Sequence, residues 1–333
     1  MARHVAVVGA TGAVGQEFIR VLEQREFPCG KITFLASARS AGKTIRFRGR
    51  DYTIAELRED SFAGVDLALF SAGASVSRKF APIAVKAGAV VVDNSSAFRM
   101  DPEVPLVTPE VNPEDIRKHK GIIANPNCST IIMVVPVFPL YRANRIQRLV
   151  VSTYQAASGA GYQAMLELQQ QARDVLDGRP VEKKVLPHQI AFNLFSHNSR
   201  IGENGYNEEE MKMVKETRKM FHDDAIQITA TCVRVPVMRA HSEAINITFE
   251  KPMTEARVRE ILAKAPGVRL VDDRERNYFP MPLESSEQDD VYTGRIRQDI
   301  SQPDGRGIDM FVSGDQLRKG AALNAVQIAE LLN

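Results

Sequence analysis

The chain has few cysteines, no tryptophan and no long apolar run, and these absences exclude several protein classes. Its 333 residues contain three cysteines, Cys29, Cys128 and Cys232. Three scattered thiols are too few for a disulfide framework and lack zinc-ligand spacing, so we expect no metal site and a reducing cytoplasm. The apolar stretch from Ile131 to Leu140 is interrupted by prolines and is shorter than the roughly 18 residues that span a bilayer.

An excess of charge of one sign is also missing. The formal net charge of +2 gives no general reason to expect nucleic-acid or membrane binding. The first residues lead into a glycine-rich turn without a small-residue cleavage site, so we expect no signal peptide. The apolar and charged fractions, 44% and 25%, are those of a globular protein. The length exceeds what one hydrophobic core usually serves, which predicts two domains.

The first third of the chain alternates short β-branched runs with helical stretches. This pattern predicts an α/β fold with a parallel sheet. We expect a helix over residues 12–26 and another over 77–88. The predicted strands are residues 4–10, 31–37, 65–72, 89–95 and 121–126.

After about Ser129 the pattern changes to longer alternating strands separated by helices, which predicts an α+β domain with a mainly antiparallel sheet. An amphipathic C-terminal helix could return to the first domain. The predicted domains are residues 1–127 plus 314–333 and residues 128–313. The predicted strands are residues 148–156, 223–237, 243–250 and 288–299, and the helices include 163–176 and 208–221.

A glycine-rich segment, GATGAVG, follows the first predicted strand and begins a helix. Glycines there let the backbone turn tightly and approach a pyrophosphate, whose charge the helix N-terminal amides complement. A tight turn without a ligand is the alternative, because the spacing departs from the usual G-x-G-x-x-G. The predicted cofactor-binding residues in this segment are Gly9, Thr11, Gly12, Ala13, Val14 and Gly15.

The end of the second predicted strand indicates which nucleotide binds. An NAD site usually has an acidic residue there, to accept hydrogen bonds from the ribose hydroxyls. This chain has SARSAGK instead, with Arg39, Ser40 and Lys43 and no carboxylate. Cations and a hydroxyl suit a 2′-phosphate, so we predict NADP, with a solvated basic loop as the alternative.

Cys128 is the candidate nucleophile. It lies in NPNCST, between a strand and an apolar run that predicts a helix. A thiol in the first turn of a helix is near unpaired N–H groups, which would lower its pKa. The alternative is a small buried apolar residue, and that is the interpretation we give to Cys29 and Cys232.

A thiolate needs a partner for proton transfer, and His241 is the candidate because it directly follows a predicted strand in RVPVMRAHSE. The other five histidines, including His197, lack a comparable context. Arg234, seven residues before His241, could hold a carboxylate through two hydrogen bonds.

Six motifs occur along the chain in the order GATGAVG, DNSSAFR, NPNCST, TYQAASGAG, EEMK and RVPVMRAHSE. With these motifs the chain resembles the aspartate-β-semialdehyde dehydrogenase family. The resemblance implies a Rossmann-type NADP-binding domain and a catalytic and dimerisation domain. It also implies reduction of L-aspartyl-4-phosphate by NADPH to L-aspartate 4-semialdehyde, in the synthesis of lysine, threonine, methionine and isoleucine. The implied assembly is a homodimer or a dimer of dimers.

The resemblance also implies a role for each site residue. Cys128 would form an acyl thioester and His241 would be the general acid/base. Gln155 would orient the substrate. Arg234 would bind its α-carboxylate and Glu209 its amine. The phosphoryl group would be bound by Arg99 and Lys212, and the nicotinamide end of the cofactor would be approached by Ser158, Gly159 and Gln316.

Two other functions are compatible with parts of this pattern. An N-acetylglutamyl-phosphate reductase would share the nucleotide fold and the thiol chemistry but would need no site for a free amine. A non-catalytic relative that binds nucleotide would usually lack the nucleophile or the acid/base. Both Cys128 and His241 are present.

Overall fold

The computed structural model describes residues 3–332. The strands are β1 (Arg3–Val8), β2 (Cys29–Ala36), β3 (Thr44–Phe47), β4 (Arg50–Thr53), β5 (Ala55–Glu56), β6 (Leu67–Phe70), β7 (Val90–Asp93), β8 (Ile122–Ala124), β9 (Ile146–Gln155), β10 (Phe195–Ser196), β11 (Gln227–Arg234), β12 (His241–Phe249), β13 (Val268–Leu270), β14 (Val291–Gln298) and β15 (Gly307–Gly314). The helices are α1 (Ala13–Gln24), α2 (Ala74–Lys86), α3 (Cys128–Ala143), α4 (Tyr162–Leu176), α5 (Glu208–Phe221), α6 (Glu255–Leu262), α7 (Pro282–Ser285) and α8 (Leu323–Glu330).

One compact unit consists of the described residues within 1–127 and 321–333. Its six-stranded sheet has the order β5-β2-β1-β6-β7-β8, and every neighbouring pair is parallel. Strand β6 and residues 5–8 of β1 are wholly apolar because both faces of such a sheet are covered. The predicted Rossmann-type α/β fold is confirmed.

The C-terminal helix α8 belongs to this first unit. Leu323, Val326 and Ile328 lie in the same apolar core as Phe18 and Leu22 of α1. The return to the first unit begins at residue 321 and not at 314 as predicted. The segment before it stays in the second unit because the buried Asp315 binds Arg239 there.

The second unit is Cys128–Gly320, built on a seven-stranded sheet of order β10-β11-β9-β12-β15-β14-β13. The sheet is mixed, since β11 runs parallel to β9 and β13 runs parallel to β14 while the other pairs are antiparallel. Strand β15 was not predicted from the sequence, although it lies between β12 and β14. Its segment, GIDMFVSG, has residues buried on both faces and no clear alternation.

Helix α3 is buried on most sides, and ten of its sixteen residues are in the core despite Pro136 and Pro139. Within residues 3–332, no helix is long and apolar enough to cross a membrane. The apolar character of α3 therefore reflects its burial in the second unit, where it carries Cys128 as its first residue.

Candidate active site

Three neighbouring strands of the second unit bring predicted site residues into one row. Gln155 at the end of β9 pairs with Arg234 at the end of β11. On the other side of β9, Tyr154 pairs with Ser242, so the antiparallel register places His241 beside Gln155. The sheet register therefore assembles residues that are far apart in sequence.

His241 is fully buried at the start of β12. Its Nδ1 accepts a hydrogen bond from the Ala156 amide at 3.0 Å, so the neutral ring carries its proton on Nε2. Nε2 is buried without a hydrogen-bond partner among the described residues. Burial lowers the pKa of His241 to about 3, with the charge of Arg234 acting in the same direction. The ring is therefore a neutral donor at pH 7.

Arg234 is buried, and two contacts hold its guanidinium. Nη1 donates to the Ala156 carbonyl at 3.3 Å, and Nη2 donates to His197 Nε2 at 2.9 Å. Burial also lowers the pKa of Arg234. The buried Nε has no partner within the described chain. A buried donor of this kind is expensive to leave unpaired, so it indicates a missing acceptor.

Cys128 is the first residue of helix α3, so the thiol lies in the first turn of a helix as predicted. It is partly exposed. A Cβ atom on Gly320 would lie 3.0 Å from Cys128 Cβ, so the chain passes very close to the nucleophile. Burial raises the pKa of Cys232 and of Cys29. Cys232 is buried, as the structural interpretation expects, whereas Cys29 is partly exposed.

Gln155 links the start of α3 to the start of α5. Its Nε2 donates to Ser129 Oγ at 2.9 Å and lies 3.4 Å from Glu209 Oε1. Glu209 Oε2 accepts from Lys212 Nζ at 3.0 Å. Asn207 caps α5 and fixes its first turn, which carries Glu209. Three of the predicted substrate-binding residues thus form one network.

Ser158, Gly159 and Gln316 also lie in the second unit. Gln316 Nε2 donates to Ser158 Oγ, and Gln316 Oε1 accepts from the Ala240 amide at 2.8 Å. Ala240 has a φ of 69°, which is unusual for a residue other than glycine. Gln316 therefore stabilises the turn that precedes His241.

Arg99 lies in the first unit, where backbone carbonyls orient it. Its Nε donates to the Asn125 carbonyl and its Nη2 to the Asn94 carbonyl, each at 2.9 Å. Arg99 is buried, so it is not a solvated surface residue.

The glycine-rich turn between β1 and α1 requires glycine at two positions. A Cβ on Gly9 would lie 2.3 Å from the Ser71 carbonyl oxygen, and one on Gly15 would lie 2.2 Å from the Gly9 carbonyl oxygen. Gly12 differs, since it is exposed and a Cβ there would make only ordinary contacts. Glycine at that position suits approach of a ligand rather than packing of the fold.

The amides at the start of α1 suit a pyrophosphate. Gly12 is the N-cap residue, and no side chain caps the helix. Thr11 is exposed, while Ala13 and Val14 are partly exposed in this first turn. The residues present fit a dinucleotide phosphate.

A short turn, Ala38–Ser40, follows β2 at the position where the adenosine ribose is recognised in this fold. Arg39 is exposed on this turn and Ser40 is largely buried. Lys43 is exposed before β3. A cation and a hydroxyl at this strand end fit a 2′-phosphate.

Sequence reasoning gave no role to His197, Ser129 or Gly320, which the structure places against predicted site residues. His197 lies twelve residues before Glu209, the first residue of the EEMK motif, and this separation only weakly indicates a role at the site. Ser129 is adjacent to Cys128 in the sequence. Gly320 could be recognised only from its contact with Cys128.

Comparison with known proteins identifies the family of the chain. The family model for "Semialdehyde dehydrogenase, NAD binding domain" matches residues 4–119, and that for "Semialdehyde dehydrogenase, dimerisation domain" matches residues 137–319. An aspartate-semialdehyde dehydrogenase from Synechocystis is 58% identical over 98% of this chain and 96% of the relative. One from Bacillus subtilis is 48% identical over 99% of this chain and 97% of the relative.

Solved structures show the same likeness. An aspartate semialdehyde dehydrogenase II from Vibrio cholerae, complexed with ASA, has a TM-score of 0.96 and 46% identity and covers 100% of this chain and 98% of its own. The enzyme from Candida albicans with NADP has a TM-score of 0.77 and 25% identity over 100% and 98% of the two chains. With two family models, close relatives over the full length and a matching fold, the chain belongs to the aspartate-semialdehyde dehydrogenase family.

Proposed function

We propose that this chain reduces L-aspartyl-4-phosphate to L-aspartate 4-semialdehyde with NADPH, through a thioester on Cys128. The row of Arg234, Gln155 and His241 at the strand ends is the observation that supports this most directly. It combines a cation with an unpaired buried Nε, an amide and a neutral imidazole with an unpaired Nε2. Such a row suits a substrate that has a carboxylate and a reacting carbonyl.

The substrate has an α-carboxylate and an α-amine, so its binding site needs a cationic and an anionic side chain. Arg234 would hold the α-carboxylate and Glu209 the α-amine. Lys212, which now pairs with Glu209, would bind the phosphoryl group together with Arg99. A phosphoryl group in contact with cations is a good leaving group because its charge is neutralised as the bond breaks.

The thiolate of Cys128 would attack the acyl carbon, and the carbon–oxygen bond to phosphate would break. When bound, NADPH supplies the hydride that reduces the thioester. Collapse of the thiohemiacetal then breaks the carbon–sulfur bond and returns the thiolate with the aldehyde. Cys128 is therefore regenerated without an external reductant for the sulfur.

His241 would act on the oxygen of the reacting carbonyl. Its Nε2–H can donate to that oxygen while negative charge develops on it. To accept a proton on Nε2, the ring would have to move its own proton to Nδ1 and lose the bond from Ala156. In the tautomer found here, His241 is therefore set to act as a hydrogen-bond donor and general acid rather than as a general base.

The cofactor would be held by the turn from Gly9 to Gly15, with Ser158, Gly159 and Gln316 at the nicotinamide end. We propose NADP over NAD because Arg39 and Ser40 occupy the strand end that carries a carboxylate in NAD sites.

We further propose that the chain forms a homodimer or a dimer of dimers in the cytoplasm. The dimerisation-domain model covers most of the second unit. One face of the seven-stranded sheet exposes Tyr154, and Val150, Ser152 and Phe311 beside it are partly exposed, as an unpaired surface would be. The three cysteines are free, which suits a reducing compartment.

The decisive assay follows the reverse reaction. The purified chain is given aspartate semialdehyde and NADP, with and without inorganic phosphate, and NADPH is followed by its absorbance. We expect NADP reduction that depends on phosphate. Phosphate-independent turnover, or activity with N-acetylglutamyl phosphate and none with aspartyl phosphate, would contradict the proposal.

A further inference from the structure

Arg234 depends on a histidine that the reaction itself does not use. Its Nη2 donates to His197 Nε2 at 2.9 Å, and its remaining described contact is with the Ala156 carbonyl at the longer distance of 3.3 Å. A guanidinium has no lone pair and can only donate. His197 must therefore accept with Nε2 and be neutral.

That requirement fixes the tautomer of His197. With Nε2 accepting, the ring proton is on Nδ1, which lies 3.0 Å from Ser199 Oγ and can donate to it. The Ser199 amide also lies 3.2 Å from this Nδ1, but a protonated Nδ1 has no free lone pair and cannot accept a hydrogen bond from the amide. Burial lowers the pKa of His197 to about 4, so the ring stays neutral at pH 7.

The same serine contacts the helix that carries Glu209. The backbone amide of Glu209 donates to Ser199 Oγ at 3.1 Å. Ser199 Oγ thus accepts both from His197 and from the first turn of α5. A continuous path of hydrogen bonds joins the Arg234 guanidinium to the backbone of Glu209.

The local backbone holds His197 in this place. Strand β10 pairs with the end of β11, with Phe195 opposite Arg234. The His197 amide then donates to the Cys232 carbonyl at 2.8 Å. The segment before α5 is therefore tied to the strand that carries Arg234, and its side chains are held next to that residue.

We propose that His197 and Ser199 are positioning residues that set the spacing between Arg234 and Glu209, and thereby select a substrate with both an α-carboxylate and an α-amine. This rests on the proposed function, in which those two residues bind the two charged groups. Neither His197 nor Ser199 needs to touch the substrate. They act by fixing where the guanidinium points and where α5 begins.

The first test replaces His197 in the full-length enzyme with alanine and with glutamine. His197→Ala removes the acceptor, and we expect the KM for aspartate semialdehyde to rise about 10-fold, as loss of a hydrogen bond to a charged group predicts. The KM values for NADP and phosphate should change less than about 2-fold. His197→Gln keeps an acceptor oxygen and should recover most of the lost affinity. His188→Ala, at an exposed histidine packed on Phe195, is the matched control.

The second test asks whether His197 acts through Arg234. On an Arg234→Ala background, adding His197→Ala should raise the KM for aspartate semialdehyde no further. A merely structural role for His197 would produce additive losses in the two variants. Additivity would therefore overturn the proposal.

Two further results separate failure of this inference from failure of the proposed function. If Arg234→Ala leaves the KM for aspartate semialdehyde unchanged, Arg234 does not bind the substrate carboxylate and the proposed role fails. If Arg234→Ala raises that KM while His197→Ala does not, the positioning role alone is wrong. If His197→Ala fails to fold, Ser199→Ala decides, with an expected rise of about 2- to 5-fold in the same KM. An unchanged KM in folded Ser199→Ala would then contradict the proposal.

Discussion

Gly159 lies directly against His241. A Cβ atom on Gly159 would come within 2.9 Å of both Cε1 and Nε2 of the imidazole, and within 2.9 Å of Arg234 Nη1. The imidazole is fixed from its other side by the Ala156 amide. The absence of a side chain at residue 159 therefore determines how the ring is placed.

We expect Gly159→Ala to reduce kcat/KM for aspartate semialdehyde by about 10-fold or more, because small displacements of catalytic groups reduce the rate strongly. We also expect a modest loss of stability, about 1–3 kcal/mol, because the buried His241 ring must shift to make room for the Cβ atom. Steady-state kinetics and calorimetry measure the two effects. Wild-type activity in this variant would show that the ring tolerates the displacement.

Replacement of the nucleophile tests the thioester. We expect Cys128→Ala to reduce turnover by about 10⁴-fold or more, since the covalent route is lost. Binding of NADPH, followed by fluorescence titration, should remain close to that of the wild type. Cys232→Ala is the control, because that thiol is buried within β11. Substantial residual turnover in Cys128→Ala would exclude the covalent mechanism.

The choice of nucleotide should depend on Arg39. Arg39→Ala removes a cation from the turn after β2, and we expect the dissociation constant for NADPH to rise about 10-fold or more while that for NADH changes little. Arg46, an exposed arginine on β3 in the same basic region, supplies the control variant Arg46→Ala. Equal losses for the two nucleotides would show that Arg39 does not contact a 2′-phosphate.

Glu243 gives a prediction about pH. It is fully buried, neither carboxyl oxygen has a partner among the described residues, and burial raises its pKa well above the usual value. The folded state therefore keeps the proton to a higher pH than the unfolded state does. The stability that this group contributes is complete below the unfolded pKa and is lost as pH rises toward the folded pKa.

Glu243→Gln removes that titration and retains a similar shape. We expect its Tm to exceed that of the wild type at pH 8, with a difference that shrinks toward pH 5. Glu210→Gln should instead lower the stability by about 1–3 kcal/mol, because Glu210 accepts from the backbone amides of Asn207 and Cys232. A lower Tm for Glu243→Gln at both pH values would show that the carboxylate is ionised and paired in the folded protein.

Much of the fold was accessible from local sequence. The glycine-rich turn after β1, the apolar strands of the first sheet and the bounds of α5 followed from periodicity and turn chemistry, and the comparisons confirm the family resemblance. Strand β15 was missed because a strand buried on both faces has no alternation to detect. The short strand β10 has two residues and gives almost no signal.

Residues adjacent in the chain were enough to identify the family and to place the thiol at the start of a helix, since motifs and helix starts are local features. The fold placed His241 beside Gln155 and gave Arg234 a partner in His197, because sheet register and the β10–β11 pairing join distant segments. Burial likewise makes His241 neutral at pH 7 and raises the pKa of Glu243, because desolvation depends on everything packed around a group.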